Sequence, residues 1–210
     1  MDTIKTILFD FDGTIADTLS ACIQIANKHS KAWGFREVKD EEIESLKGLT
    51  PLELLREFKI PFYKLPFLVK KVQLELFEDM DTIKLFPGMT TVINDLHKKG
   101  FLLGIVTSNS EKNVRRFLKA NNINCFQIIH NEKNIFGKSR TINNVIKTYN
   151  LKKEETIYVG DEVRDIEASK KVHIQPVSVT WGFNSKQLLE KYNNQYLVDT
   201  PADLFKLITK

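Results

Sequence analysis

Residues 4–14 read IKTILFDFDGT. The first six are apolar or β-branched apart from one lysine, as a strand should be, and they stop abruptly at a polar turn containing glycine. Asp10 and Asp12 stand one residue apart where that strand ends. Such spacing can aim both carboxylates at one rim position while Phe11 turns into the core. Gly13 permits a tight turn that a side chain would obstruct, and Thr14 supplies a hydroxyl and a backbone N–H. Taken alone, the aspartate pair serves equally well as loop or helix-capping residues, so the rest of the chain has to decide.

The same punctuation recurs. Residues 101–106 (FLLGIV) end in TSNS, and residues 126–129 are a short apolar run. Residues 156–159 (TIYV) end in GDEVRD, residues 176–179 run into TWG, and residues 196–198 are a weaker strand. Helical patterns fill the gaps. Residues 89–99 gather Val92, Ile93 and Leu96 on one face and close at Gly100. Residues 113–122 gather Val114, Phe117 and Leu118, and residues 139–149 gather Ile142, Val145, Ile146 and Tyr149. Shorter helices are expected at 162–171, 185–192 and 201–208. Strands alternating with such helices predict an α/β fold with a parallel sheet, right-handed crossovers and both faces covered.

Residues 17–84 break that rhythm. They contain helical segments at 19–33, 40–46 (capped by Asp40), 51–58 (after Thr50) and 67–77, with Pro61 and Pro66 around a turn, and no convincing strand. The expectation is a Rossmann-like core over 1–16 and 85–210, with a helical cap inserted over 17–84.

The chain has 210 residues, 42% of them hydrophobic, enough for a sizeable core. Its formal charge of +4 is spread among acidic neighbours, which argues against nucleic-acid binding. Cys22 and Cys125 fit no zinc or disulfide spacing and read as reduced thiols. The first residues lack a signal peptide's basic head and apolar stretch, and no run of 18 apolar residues suggests a membrane span. A cytoplasmic protein without membrane partners is expected, as a monomer or weak homodimer.

In an open parallel sheet, ligands sit beyond the carboxyl ends of the strands. Four polar segments follow strand candidates: residues 10–14, residues 107–110, the surroundings of Lys138, and residues 160–165. Asp161 adds a third carboxylate, and an oxygen-rich cluster without histidine suits Mg²⁺. An aspartate is a credible nucleophile for phosphorus. Thr107, with the backbone N–H groups of Ser108 and Asn109, lies where strand hands over to helix, a natural anion nest. Lys138 is a point charge able to pair with phosphate and Asp10. In isolation, Lys138 reads as a solvated surface group, and Thr107 and Asn109 as turn residues.

At these residues the chain resembles the haloacid dehalogenase superfamily of hydrolases. DFDGT at 10–14 is similar to that family's first motif, Thr107 to its second, Lys138 to its third and GDEVRD at 160–165 to its fourth. The likeness spans essentially the whole chain. It implies a Rossmann-like core with a cap inserted after the first motif, Asp10 as nucleophile, and Asp12 as general acid and then base. It implies Mg²⁺ held by Asp10, Asp12 (through its backbone carbonyl) and Asp161. Thr107 would bind a phosphate oxygen, with Gly13, Thr14, Ser108, Asn109 and the cap residue Gly48 near the substrate. Lys138 would neutralise the intermediate and Asp165 would position Lys138 or a metal-bound water. Asp12 must carry a proton for the first step, although a free aspartate has a pKa of about 3.9; a partly closed site beside Asp10 would raise it.

Dehalogenating relatives lack the second aspartate, so phosphate is the expected target. The VTWGF at 179–183 and the small cap are most similar to the phosphoglycolate phosphatase branch, and imply a small phosphorylated metabolite as partner. Sugar phosphates, nucleoside monophosphates and pyrophosphate are further candidates. The competing functions are a sugar phosphomutase or phosphotransferase, and a catalytically weak phosphate-binding protein. Thr18, Gln24, Lys47, Gly48 and Arg56 are the cap residues expected to face the core. Phe58, Phe62, Tyr63 and Phe67 read as cap core or as a contact with a second subunit. Ser139 stands where the family often has proline, and Val172 and His173 where it has a small residue and glycine. His173 is therefore expected either to adopt a left-handed conformation or to lie in a rebuilt turn.

Overall fold

A computed structural model describes residues 3–131, 137–192 and 195–210. Six parallel strands form one sheet in the order β3-β2-β1-β4-β5-β6. They are β1 (Thr6–Phe9), β2 (Leu102–Thr107), β3 (Ile128–Asn131), β4 (Thr156–Gly160), β5 (Gln175–Val179) and β6 (Leu197–Val198). β1 pairs with β2 on one side and β4 on the other, so residue 10 emerges at the middle of the carboxyl edge.

The period-two alternation of strand side chains divides the core in two. Ile7, Phe9, Leu103, Ile105, Ile157 and Val159 pack in a cluster with residues of α5 (Met89–Lys98), α6 (Glu111–Ala120) and α10 (Pro201–Thr209). Leu8, Val106 and Tyr158 face the other way and pack on α7 (Lys138–Thr148) and α8 (Val163–Val172). All four β1 residues are buried, which is why the strand reads as a continuous apolar run. α9 (Lys186–Lys191) follows β5.

Between β1 and α5 the chain forms α1 (Leu19–Trp33), α2 (Ile43–Leu46), α3 (Pro51–Glu57) and α4 (Leu65–Asp79). This helical excursion leaves and returns through one doorway. Ala16 bridges Leu85, and the Asp17 N–H donates to Lys84 O at 2.9 Å. α3 has the local signals to start where it does. The Glu53 N–H donates to Thr50 Oγ1 at 3.4 Å, the Thr50 N–H returns to Glu53 Oε2 at 2.7 Å, and Pro51 opens the helix.

Some local expectations shift. Asp40 opens a 3₁₀ turn rather than capping it; Lys39 holds the cap position, and its N–H is taken by Glu42 Oε1 at 2.8 Å. α6 begins two residues before the expected segment because Ser110 caps it, accepting from the Asn113 N–H at 3.2 Å. Pro66 lies inside the first turn of α4, where its missing N–H costs nothing. His173 does adopt a left-handed conformation, φ 61°, and ends α8 with its N–H donating to Lys170 O at 3.1 Å.

Candidate active site

The carboxyl edge of the sheet gathers Asp10, Thr107, Lys138, Asp161 and Asp165, and all five are buried. Phe11 is fully buried against Phe117, with ring centroids 5.0 Å apart and planes at 88°. Burying such a ring contributes about 1.5–3 kcal/mol, and it anchors the backbone between the two aspartates of the first loop. Gly13 has φ 75°, and a Cβ there would stand 2.2 Å from Asp161 Oδ2. A side chain is therefore excluded by both conformation and space. Gly160 is excluded by space alone, its Cβ falling 2.3 Å from Asp165 Oδ2.

Lys138 opens α7, and its ammonium donates to Asp10 Oδ2 at 2.6 Å and to Asp165 Oδ1 at 2.5 Å. Burial by itself would lower the Lys138 pKa, but the charges of Asp10 and Asp165 outweigh it and hold the ammonium well above the usual lysine range. Asp165 Oδ2 in turn accepts the Glu162 N–H at 2.9 Å. Asp161 is held at both oxygens, by Thr14 Oγ1 at 2.7 Å and by the Phe183 N–H at 2.7 Å.

Asp10, Asp161 and Asp165 each offer an oxygen, and these oxygens lie within 4.8 Å of one another. Burial, then the charges of Glu162, Asp165 and Asp10, push the Asp161 carboxyl well above its ordinary range. Buried carboxylates crowded together in this way form a candidate divalent-cation site, and the all-oxygen donor set fits a hard ion. Asp12, expected to hold the ion through its backbone carbonyl, contributes no side-chain oxygen to this cluster. Its Oδ1 accepts from Asn109 Nδ2 at 3.0 Å. Asp165 takes the third carboxylate position.

Asp12 faces a cavity of about 270 Å³ between the sheet edge and the helical insert. Burial first, and Asp10 second, push its carboxyl up to about 6, with Thr18 and Asn109 pulling the other way. The cavity is walled largely by apolar side chains, including Trp33, Leu68, Val72 and Phe183, and Arg164 is its one lysine or arginine among the described residues.

Thr107 is fully buried and its hydroxyl accepts the Asn109 N–H at 3.0 Å. That N–H, expected to face an anion, is thus used within the loop. Ser108 and Asn109 both line the cavity beside Asp12. Gly48 does not. Its loop docks instead on residues 184–185, the Ser185 N–H donating to Lys47 O at 2.8 Å. Thr18 is buried, whereas Gln24 and Arg56 are exposed. Of the aromatic residues near Pro61 and Pro66, Phe58 is buried, and Phe62, Tyr63 and Phe67 are exposed.

Sequence reasoning missed the supporting layer. The Phe183 N–H holds Asp161, Asn184 Oδ1 caps α8 by accepting the Val163 N–H at 2.9 Å, and Trp181 Nε1 donates to Thr14 O at 3.1 Å. The signal was present as WGFN directly after a strand, on the same edge of the sheet.

Comparison with known proteins agrees with this geometry. The sequence pattern of the haloacid dehalogenase-like hydrolases matches residues 7–179. The chain is 30% identical over 208 residues to a phosphoglycolate phosphatase of Synechococcus elongatus, covering 99% of this chain and 98% of that one. It is 23% identical over 212 residues to the pyrophosphatase PpaX of Bacillus mycoides, covering 99% and 98%. A haloacid dehalogenase-like hydrolase from Streptococcus pneumoniae superposes with a TM-score of 0.81 at 23% identity, covering 100% of both chains, and shares the fold. The chain belongs to the haloacid dehalogenase-like hydrolase family, and is an enzyme of its phosphoglycolate-phosphatase-like branch with a helical cap.

Proposed function

We propose that this protein is a Mg²⁺-dependent phosphatase that moves the phosphoryl group of a small phosphomonoester first to Asp10 and then to water. The observation that carries the reading is the unlike treatment of two carboxyl groups one residue apart. Asp10 is paired with the Lys138 ammonium at 2.6 Å, while Asp12 is pushed up to about 6. A carboxylate held by an ammonium suits a nucleophile, and a neighbouring carboxyl that keeps its proton suits a proton donor.

In the first step a carboxylate oxygen of Asp10 forms a bond to phosphorus as the bond to the leaving oxygen breaks, and Asp12 gives that oxygen its proton. Asn109 donates to Asp12 Oδ1, so the transferable proton resides on Oδ2. In the second step water attacks the aspartyl-phosphate, Asp12 takes the water's proton, and Asp10 leaves as a carboxylate with inorganic phosphate. Lys138 offsets charge on Asp10 throughout, and Asp165 and the Glu162 N–H keep it aimed. Asp10, Asp161 and the Asp12 carbonyl would hold Mg²⁺, with Asp165 beside them; when bound, the ion supplies charge neutralisation to the phosphoryl oxygens.

Residues 1–16 and 85–210 act as the core and residues 17–84 as a cap that shuts water out of the cavity. The cavity suits a compact leaving group, and Arg164, its one lysine or arginine among the described residues, suits an anionic one even while paired with Glu162. Phosphoglycolate is the first candidate, supported by the relative from Synechococcus elongatus. Pyrophosphate, supported by the relative from Bacillus mycoides, is the second.

The test is phosphate release from a panel of phosphomonoesters and pyrophosphate, with and without Mg²⁺. Release should need the metal, favour 2-phosphoglycolate, and fall by at least about 10⁴-fold in Asp10→Asn. Turnover by Asp10→Asn at the parent rate would remove the aspartyl-phosphate from the scheme.

A further inference from the structure

Asn113 sits in the first turn of α6, 1% exposed, and takes no part in the chemistry described above. Its Nδ2 has two neighbours at hydrogen-bond distance: Gln73 O on cap helix α4 at 2.8 Å, and Asn109 Oδ1 at 2.9 Å. Both are acceptors, so the atom between them must be the amide nitrogen, and its two hydrogens are fully used.

The orientation of Asn109 is equally determined. Its Oδ1 also accepts the Ser110 N–H at 2.7 Å, which obliges its Nδ2 to point the opposite way, at Asp12 Oδ1 3.0 Å distant. A backbone carbonyl of the cap is thereby linked through two side-chain amides to the carboxyl group beside the leaving oxygen. Gln73 reinforces the same seam, its Nε2 donating to Ser108 O at 2.5 Å.

We propose that Asn113 is a positioning residue for the reaction: it locks the Asn109 amide toward Asp12 and ties that orientation to the seating of cap helix α4. The inference rests on Asp12 being the proton donor. Without Asn113 the Asn109 side chain loses one of the two donors that hold its oxygen, and its amide is free to turn from Asp12. The cap helix then seats with no consequence for the donor. The simpler alternative is that Asn113 only satisfies two buried acceptors, in which case its loss weakens the fold without selecting among substrates.

The two are separated by leaving-group dependence. An alkyl phosphate such as 2-phosphoglycolate needs protonation as it departs, whereas p-nitrophenyl phosphate leaves readily without it. kcat/KM reports steps through the first phosphoryl transfer, so slow hydrolysis of the aspartyl-phosphate does not mask the difference. In Asn113→Ala, kcat/KM for 2-phosphoglycolate should fall roughly 10- to 100-fold, with a much smaller loss for p-nitrophenyl phosphate. Asn109→Ala should discriminate in the same way, and the double variant should lose no more than Asn109→Ala alone. Asn113→Ser repeats the measurement should the alanine variant fail to fold.

Equal losses on both substrates, or losses that add in the double variant, overturn the positioning role. Asp12→Asn is measured alongside. If it fails to discriminate, the reading of Asp12 as donor is what falls; if it discriminates and Asn113→Ala does not, Asn113 alone loses its role.

Discussion

At the sheet edge, Lys138 is 3% exposed and bonds Asp10 and Asp165, which are 2% and 3% exposed. In the helical insert, Arg36 spans Glu42 and Glu57, but it is 43% exposed and its partners are 22% and 49% exposed. Both clusters place one cation between two carboxylates. The buried one has no water to replace a missing partner, so its geometry is enforced; the exposed one is screened and replaceable. The same contrast holds for hydrophobic groups: Phe11 is sealed in the core, while Phe62, Tyr63 and Phe67 stand in solvent. The difference teaches that burial, and not the number of partners, decides which contacts are fixed: the ion pairs at the rim are sealed, and those of the insert are open to solvent.

The sharpest way to break this comparison is to remove the cation from each cluster. Lys138→Met leaves Asp10 and Asp165 buried without their partner. It should cost about 3–5 kcal/mol of folding stability in metal-free buffer near neutral pH, and it should end phosphate release. Arg36→Met should leave the unfolding midpoint nearly where it was. Denaturant titrations of both variants beside the parent give the answer, and equal shifts would abolish the distinction.

A second prediction follows from Asp12. Its carboxyl is raised to about 6 by burial and then by Asp10, so the fold favours the neutral form. The stability this proton contributes is fully present below the ordinary aspartate range and is lost as pH rises through about 6. In the proposed reaction the same proton is the one the leaving oxygen takes. kcat/KM for an alkyl phosphate should therefore decline above about 6, approaching about tenfold per pH unit. The decline should be shallower for p-nitrophenyl phosphate. A profile that is flat from pH 5 to 8 with both substrates would detach Asp12 from proton transfer.

What the sequence makes legible divides along the same line. β1 and the first loop are readable because a buried parallel strand is apolar throughout and must end in polar residues at the rim. Asp10, Lys138 and Asp161 could be placed at one edge for that reason, before any distance was known. Asp12 could be paired with Asp10 from the residues, but its separate role as acid came only through the family resemblance, and the contact that holds its carboxyl comes from Asn109 in the loop after β2. Asn113, Asn184 and Gln73 were illegible because each meets a backbone group, Gln73 O, the Val163 N–H and Ser108 O, which no residue pattern marks. Gln24 and Arg56 were misplaced because helix periodicity gives the apolar face of a cap helix but not which polar flank turns toward the core.

The smallest effect expected is at the outer seam between insert and core, where Arg116 of α6 grips the end of α4. Its guanidinium donates to Asp81 through Nε at 3.1 and 3.0 Å, donates to Phe77 O through Nη1 at 2.9 Å, and stacks 4.4 Å from the Phe77 ring centroid. Many contacts converge on one side chain, yet Asp81 is 51% exposed and Arg116 30%, so water and salt compete for every one of them. Arg116→Met should keep the apolar stem over Phe77 and change kcat/KM for 2-phosphoglycolate by less than about twofold. High salt should erase even that difference. The inner seam through Asn113 uses fewer bonds, but Asn113 is 1% exposed and its bond to Asn109 is buried, so weaker-looking contacts there should matter more. If Arg116→Met instead slows alkyl phosphates as much as Asn113→Ala does, the cap's seat is set at its outer edge, and exposure is the wrong guide to which contacts govern the reaction.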